Sequence, residues 1–215
     1  MLSNDTFLTN FTIGCAASLT SYGVKRLIDI ATHKKVSPSV SSSAQVVLSG
    51  GLVFALNNYF KNKLLSRYPG GSSNEVAINF VAGGLGGFIN SLFYLPLHSF
   101  NFTRTTLDLI STSIRQSISF GVYESTKDVL AKEMGDDTFT RVLAYSVSSF
   151  GSVMLANITQ ISLIRFRLIE WKEVTQLPMA SIFGVLSKLL FDLFKSSLKT
   201  QQTIKVENIK QVMTQ

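Results

Sequence analysis

The sequence predicts an all-α membrane protein in which six transmembrane helices form three repeated pairs. Of its 215 residues, 46% are hydrophobic and only 15% are charged, a composition too apolar for an ordinary soluble domain. Four windows lack Asp, Glu, Lys and Arg altogether, and each is about as long as the roughly 20 residues that span a bilayer. An aromatic-acid-x-x-lysine motif also recurs after about 70 residues, a spacing that indicates a threefold repeat.

The six spans follow the apolar stretches in chain order. The charge-free windows are 6–24, 36–60, 76–103 and 142–164, and two further apolar stretches, 107–130 and 177–194, carry isolated charges. We therefore predict helices over 7–31, 44–65, 76–104, 107–131, 140–171 and 178–199. Short connections within the pairs are predicted at 34–43, 104–106 and 172–177.

Turn-rich segments separate the three pairs. The first, 68–74, reads Tyr-Pro-Gly-Gly-Ser-Ser-Asn, and the second, 134–137, reads Met-Gly-Asp-Asp. The predicted organisation is repeat 1 over 1–70, repeat 2 over 71–135, repeat 3 over 136–200 and a polar C-terminal tail over 201–215 outside the membrane.

Composition also excludes several classes of function. The net charge is +7, but Lys and Arg are spread over the span ends, which favours contact with membrane lipids and argues against nucleic acid. Cys15 is the single cysteine, so no intrachain disulfide forms. His33 and His98 have no acid, Cys or His at ligand spacing and no nucleophile in a known motif, so neither a metal site nor an enzyme is expected.

Arg115 lies inside the fourth predicted span. An unpaired charge at the bilayer centre costs about 2.5–3.5 kcal/mol on an insertion scale, so this side chain should face the bundle interior or another protein. We favour a hydrogen bond to an interior polar group such as Asn90 or Gln160. A contact with a ligand and a contact between subunits are the alternatives.

Several segments together resemble the mitochondrial carrier family, and within it the ADP/ATP carriers. The run Val-Ala-Gly-Gly-Leu-Gly-Gly at 81–87 leads through Phe-Tyr-Leu-Pro-Leu-His at 93–98 to Arg104. Phe-Gly-Val-Tyr-Glu-Ser-Thr-Lys at 120–127 resembles the end of the family's fourth helix, and 54–61 resembles the end of its second. The resemblance implies the carrier fold and a multi-pass location in the mitochondrial inner membrane.

In that family the repeated motif forms a ring of ion pairs that closes the cavity toward the intermembrane space. The matching positions here are Asn58, Lys61, Glu124, Lys127, Asp192 and Lys195. They give two complete pairs and one half pair. The alternative interpretation is a set of exposed helix-end pairs, each worth only about 0.2–1 kcal/mol.

The family's matrix-side gate uses Pro-x-acid-x-x-Lys/Arg on the odd-numbered helices. The aligned positions are Thr20, Tyr22 and Lys25, then Pro96, His98 and Asn101, then Gln160, Ser162 and Arg165. No acid remains in any of the three sets, so this gate is not expected to form by the family's mechanism.

The substrate contacts and loops of the family are reduced as well. Cys15, Gln45 and Ala180 occupy positions where the resemblance would place basic residues, and 165–170 replaces the ADP/ATP-specific run of arginines and methionines. The short connections leave no room for the surface helices that the family carries on the matrix side. Exchange of ADP and ATP is therefore not expected.

Two functions remain. The first is a transport-inactive, carrier-like accessory subunit of a mitochondrial inner-membrane complex, with the respiratory chain as the expected assembly. The second is a divergent carrier that exchanges a small metabolite other than ADP or ATP, using Arg115, Arg165 or the intermembrane-side pairs. Expected partners are other subunits of the complex and membrane lipids. No cofactor is implied, and a bound lipid such as cardiolipin in the former cavity is left open.

Overall fold

The computed structural model describes residues 4–32, 40–69, 71–93, 102–135, 137–165, 170 and 177–213. Within these ranges the chain forms six helices and no strand, which confirms the all-helical prediction. The helices are α1 (Asn4–Ala31), α2 (Val40–Arg67), α3 (Ser72–Phe93), α4 (Phe102–Met134), α5 (Thr138–Arg165) and α6 (Leu177–Met213).

Two of the described helices, α3 and α5, are long and apolar enough to cross a membrane, with mean hydropathies of 1.5 and 1.4 over their most apolar windows. The prediction of six spans is therefore supported for these two helices only. The sequences of α4 and α6 include Arg115 and Lys188 within their apolar stretches, and such charges lower the mean hydropathy of a segment.

Four predicted helix boundaries were wrong. The structure describes α4 from Phe102, so the predicted end of α3 at residue 104, the predicted start of α4 at 107 and the connection at 104–106 all fall inside α4. Residue 170 is not helical, although the prediction carried α5 to 171. α6 continues to Met213, well beyond its predicted end at residue 199. Apolar composition indicates what a segment can bury, but Lys, Gln and Glu are also good helix formers and carry a helix past its apolar part.

The turn between α4 and α5 shows why the chain reverses there. Gly135 has φ of 125° and donates its N–H to the Ala131 carbonyl oxygen at 3.1 Å, a backbone conformation that favours glycine. The Asp137 carboxylate then accepts the N–H groups of Phe139 and Thr140 at 2.9 and 3.1 Å. It thereby satisfies donors that the first turn of α5 cannot pair internally.

The six helices pack in a closed ring. Each helix contacts its neighbours in the chain, and α1 also contacts α6. Small residues let the backbones approach closely: a Cβ at Gly83 would lie 2.7 Å from the Gln116 carbonyl oxygen across the α3–α4 interface. At the same interface Ser113 and Ser117 donate to the carbonyl oxygens of Gly84 and Phe80 at 2.8 and 2.7 Å. The glycine-rich run therefore serves helix packing.

On α3 and α5 the buried side chains are mostly small or polar, and most large apolar side chains are exposed. On α5 the buried residues include five Ser or Ala positions, Ala144, Ser148, Ser149, Ser152 and Ala156. The exposed large apolar residues of α3 and α5 are Val76, Val81, Leu85, Phe88, Leu92, Phe93, Phe139, Leu143, Val147, Phe150, Leu155 and Ile164. An apolar exterior around a polar interior is the arrangement expected when the surrounding solvent is lipid.

Candidate functional site

Two ion pairs join the even-numbered helices across the inside of the bundle. Lys61 Nζ on α2 lies 2.8 Å from Glu124 Oε2 on α4, and Lys127 Nζ on α4 lies 2.8 Å from Asp192 Oδ2 on α6. The side chains of the first pair are each 17% exposed, and those of the second are each 11% exposed. Burial of this degree separates them from exposed helix-end pairs, which are screened by water.

A third link completes the circuit from α6 back to α2. Lys195 Nζ donates a hydrogen bond to Asn58 Oδ1 at 2.8 Å. The six predicted intermembrane-side residues therefore meet in one layer, which we call the charged ring. Each even-numbered helix is linked in it to both others, although these helices are not neighbours in the chain.

The two complete pairs of the charged ring share further contacts. Lys127 Nζ also lies 3.0 Å from Glu124 Oε1. Glu124 therefore accepts hydrogen bonds from Lys61 of repeat 1 and from Lys127 of repeat 2. The Tyr123 hydroxyl donates to Asp192 Oδ2 at 2.5 Å, and the Tyr123 ring lies 4.9 Å from Lys127 Nζ. Tyr123, the aromatic residue of the second repeat's motif, thus binds the acid of the third repeat and covers the lysine of its own motif.

An apolar layer lies directly beneath the charged ring. The rings of Phe54 and Phe191 stack at 4.3 Å, and Phe120 meets Phe54 edge to face at 5.4 Å. Ile13 and Ala17 of α1 belong to the same buried cluster. Because aromatic side chains from all three even-numbered helices meet here, this layer excludes water from the inner side of the charged ring.

A central cavity of about 740 Å³ extends from this layer toward the opposite end of the bundle. Its polar lining consists of Ser18, Gln45, Ser49, Asn90, Ser91, Asp108, Thr112, Arg115, Gln116, Ser119, Asn157, Gln160, Ser187 and Lys188. A volume of this size is typical of pockets that hold small molecules. The cavity therefore offers a polar, partly enclosed site on the axis of the bundle.

Arg115 lies in the lining of the central cavity, and its Nε is buried without a hydrogen-bond partner among the described residues. The hydrogen bond to Asn90 or Gln160 that we favoured is not formed. Asn90 instead donates through Nδ2 to Ser49 Oγ at 2.9 Å. Both Asn90 and Gln160 line the same cavity as Arg115, so the guanidinium group faces polar side chains without bonding to these two.

Sequence reasoning missed Lys188, which lies at the inner end of the central cavity and is only 3% exposed. Its Nζ donates to the Ser119 carbonyl oxygen and, at 3.1 Å, to Ser152 Oγ. The repeat itself contained the signal: Lys188 stands four residues before Asp192, where the other repeats have Phe54 before Asn58 and Phe120 before Glu124. A lysine where two repeats have phenylalanine is the exception to explain.

The predicted residues of the degenerate matrix-side gate do not form one layer of acid–base pairs. In repeat 1, Thr20 donates to the Ala16 carbonyl oxygen at 2.9 Å, and Lys25 Nζ pairs at 2.6 Å with Asp29 on its own helix. The Tyr22 hydroxyl accepts hydrogen bonds from Arg26 and Ser43.

The other two sets of that gate are placed differently. In repeat 3, Gln160 lines the central cavity, Ser162 is half-buried, and Arg165 is the exposed last residue of α5. Pro96, His98 and Asn101 lie outside the described residues, as does His33.

Of the three positions where the resemblance would place basic substrate contacts, one is seen to line the central cavity. Gln45 lines the central cavity, whereas Cys15 packs at the α1–α2 interface beside Gly51. The side chain of Ala180 lies outside those that the structure describes. The cations that do face the cavity, Arg115 and Lys188, occupy other positions of the repeat.

Fold and site together define a six-helix bundle with a polar interior, a charged ring at one end and a central cavity beneath it. Comparison of the chain with protein-family models, with curated proteins and with solved structures finds no match. The likeness to mitochondrial carriers therefore depends on the motifs of this sequence alone.

Proposed function

We propose that this chain is a carrier-like accessory subunit of a mitochondrial inner-membrane complex that no longer carries out a transport cycle. The expected assembly is the respiratory chain. The closed ring of six helices with its apolar exterior supports a place in a bilayer. The position of the charged ring, at equivalent points of three helix pairs, supports descent from a carrier.

The observation that carries the proposal is the contrast between the two ends of the bundle. A transporter that alternates its access needs two arrangements of similar free energy, each of which closes one end. The charged ring closes one end with links among three helices. At the other end, Tyr22 and Ser162 supply no carboxylate, and Lys25 pairs within its own helix. The equivalent residue of the second repeat, His98, is not an acid either.

Gentle extraction followed by native electrophoresis and mass spectrometry tests this proposal. The 23.6 kDa chain should migrate with one large complex, at a fixed ratio to its other subunits. Depletion of the chain should reduce the amount of assembled complex, and the Lys25→Met variant, altered outside the charged ring, should restore it. A free monomer in the native gel would contradict the accessory role.

A divergent carrier for a small metabolite is the second candidate, and the central cavity is the observation that favours it. Arg115 and Lys188 face a volume of about 740 Å³ that can hold a small solute. Purified protein in liposomes loaded with labelled anions tests this function directly. Saturable exchange that is lost in the Lys188→Met variant and kept in the Lys132→Met variant would replace the first proposal with the second.

A further inference from the structure

We propose that the inner end of the central cavity is an oxyanion site, in which Arg115 and Lys188 together hold one phosphate or carboxylate group. Both side chains line the cavity, and they come from different helices, α4 and α6. Lys188 is buried, and Arg115 is half-buried with its Nε covered. The site goes beyond the proposed function, because a resident anion is compatible with an accessory subunit as well as with a carrier.

The first argument is the number of hydrogen-bond donors that remain unused. Lys188 has three N–H donors and uses two of them, on Ser119 and Ser152. Arg115 Nε and Ser187 Oγ are buried and have no partner among the described residues. Because buried donors in native proteins are almost always paired, their convergence on one cavity indicates a missing acceptor.

The second argument is the charge balance of the bundle interior. The described charges of the ring and the inner cavity comprise five cations, Lys61, Lys127, Lys195, Lys188 and Arg115, and two carboxylates, Glu124 and Asp192. Further described acids near these groups lie toward solvent: the Glu75 side chain, 4.0 Å from Lys61, is 54% exposed, Asp108 is exposed at the cavity mouth, and Asp128 is exposed beside Tyr145. An anion between Arg115 and Lys188 reduces this excess.

The third argument is the shape of the site on the side of the charged ring. The rings of Phe120 and Tyr123 lie 5.0 and 4.9 Å from Lys188 Nζ. These rings cover Lys188 Nζ on the side of the charged ring. The third N–H of Lys188 can therefore reach a ligand only from the side of the cavity. Guanidinium and ammonium groups bind phosphate and carboxylate oxygens through short, charge-assisted hydrogen bonds, which identifies the class of ligand.

The thermal stability of the purified protein in detergent tests the site, with inorganic phosphate as the probe and sodium chloride added to keep the ionic strength constant. A ligand that binds only the folded state raises Tm in proportion to the logarithm of its concentration above Kd. We expect this rise in the wild type and in the Lys132→Met variant, whose lysine is exposed on α4. It should be absent in Lys188→Met and Arg115→Met, and present in Arg115→Lys, which keeps the charge.

Native mass spectrometry of the same preparations separates the two sources of an oxyanion. If the wild type carries the mass of a bound phospholipid and Lys188→Met does not, the oxyanion is the phosphate of a lipid head group. Phosphate stabilisation without such a mass identifies a free anion. If the wild type shows neither, or if Lys188→Met and Arg115→Met respond to phosphate as the wild type does, the proposal is wrong. Should Lys188→Met fail to fold, Arg115→Met and Arg115→Lys alone decide between these outcomes.

Discussion

The two ends of the bundle hold their helices together by different means. At the charged ring, buried charges on α2, α4 and α6 bond to one another across the axis. Toward the opposite end, described links join helices that are already neighbours, as where Ser43 donates to Tyr22 and Asn157 donates to Ser181. A link across the axis closes the interior, and these described links between neighbouring helices do not cross it.

This difference explains how one bundle combines a closed end with a polar central cavity. The charged ring and the apolar layer beneath it close one end, and the central cavity begins where that layer stops. Each repeat thus contributes to the closure through its motif positions. In the first two repeats the residue one turn earlier, Phe54 or Phe120, belongs to the apolar layer, and the polar lining lies farther from the motif, as at Arg115. Each of the following changes tests one side of this contrast.

The largest effect is expected for Glu124→Gln. This carboxylate accepts from Lys61 and Lys127, and its removal leaves buried ammonium groups without that counter-charge. Breaking a buried pair costs about 3–5 kcal/mol, or a fall in Tm of roughly 10 °C, measured by thermal unfolding in detergent. The control is Glu75→Gln, whose exposed side chain should contribute no more than about 1 kcal/mol. Equal losses for the two variants would contradict the burial of the charged ring.

Gly83→Ala should come next, because the charged ring depends on close packing of α4 against α3. The new methyl group would lie 2.7 Å from the Gln116 carbonyl oxygen and 2.9 Å from Phe120 Cβ. Overpacking of this kind costs about 1–3 kcal/mol. The matched control is Gly151→Ala on α5, where a Cβ meets nothing within 4 Å and the alanine is expected to be neutral or stabilising. The free energy of unfolding in detergent measures both.

Asn58→Asp should strengthen the charged ring, in contrast to every other change proposed for it. A carboxylate there would turn the Lys195 hydrogen bond into a third ion pair and reduce the excess of positive charge. We expect a net gain of about 1 kcal/mol, because a charged acceptor strengthens the Lys195 bond by more than is lost with the Asn58 Nδ2 bond to the Phe54 carbonyl oxygen. Chemical denaturation measures this gain. The gain should vanish in the Asn58→Asp, Lys195→Met double variant. A loss of stability in the single variant would show that the ring does not accept a third acid.

Lys25→Met should have only a small effect, because its partner Asp29 is on the same helix and the lysine is 37% exposed. Pairs four residues apart on a helix stabilise it by about 0.2–0.5 kcal/mol. The matched comparison is Lys61→Met, which breaks a buried link between α2 and α4 and should cost several times more. Similar losses in thermal unfolding would remove the contrast between the two ends.

The smallest effect concerns pH and an exposed acid near the charged end. The Thr140 hydroxyl and backbone N–H hold the pKa of Asp137 below its ordinary value. A carboxyl group with a lowered folded pKa contributes stability above its unfolded pKa and loses it as the pH falls through the folded pKa. The difference in Tm between wild type and Asp137→Ala should therefore be present at neutral pH and shrink in acid below the ordinary range of aspartate. A difference in Tm that does not change with pH would contradict the role of the Asp137 carboxylate as the N-terminal cap of α5.

The sequence was sufficient to predict the helices and the membership of the charged ring. A motif that recurs in each repeat is placed at the same depth of a symmetric bundle, so Asn58, Glu124 and Asp192 could be brought together without coordinates. The length of α6 could not be predicted from apolarity, because Lys, Gln and Glu continue a helix as well as apolar residues do. Apolarity also did not separate α3 from α4, because the charge-free window 76–103 includes residues of both helices.

The inner end of the cavity was harder to predict. Arg115 was recognisable as a charge inside an apolar stretch, but whether it had a partner depends on the reach of side chains from other helices. Lys188 was overlooked because the chain was compared with the family's basic positions and not with its own repeats, where Phe54 and Phe120 are the equivalent residues. A comparison of the three repeats with one another would have identified it.

The length of α6 gives the bundle a mechanical connection to its surroundings. From Lys195 to Met213 the helix extends about 27 Å, at roughly 1.5 Å per residue. This part of α6 is unbroken and begins at Lys195, which makes the hydrogen bond to Asn58 in the charged ring. A sideways force on the far end of α6 is transmitted as a torque to the third link of the ring, which is held by one neutral acceptor where the other two have carboxylates.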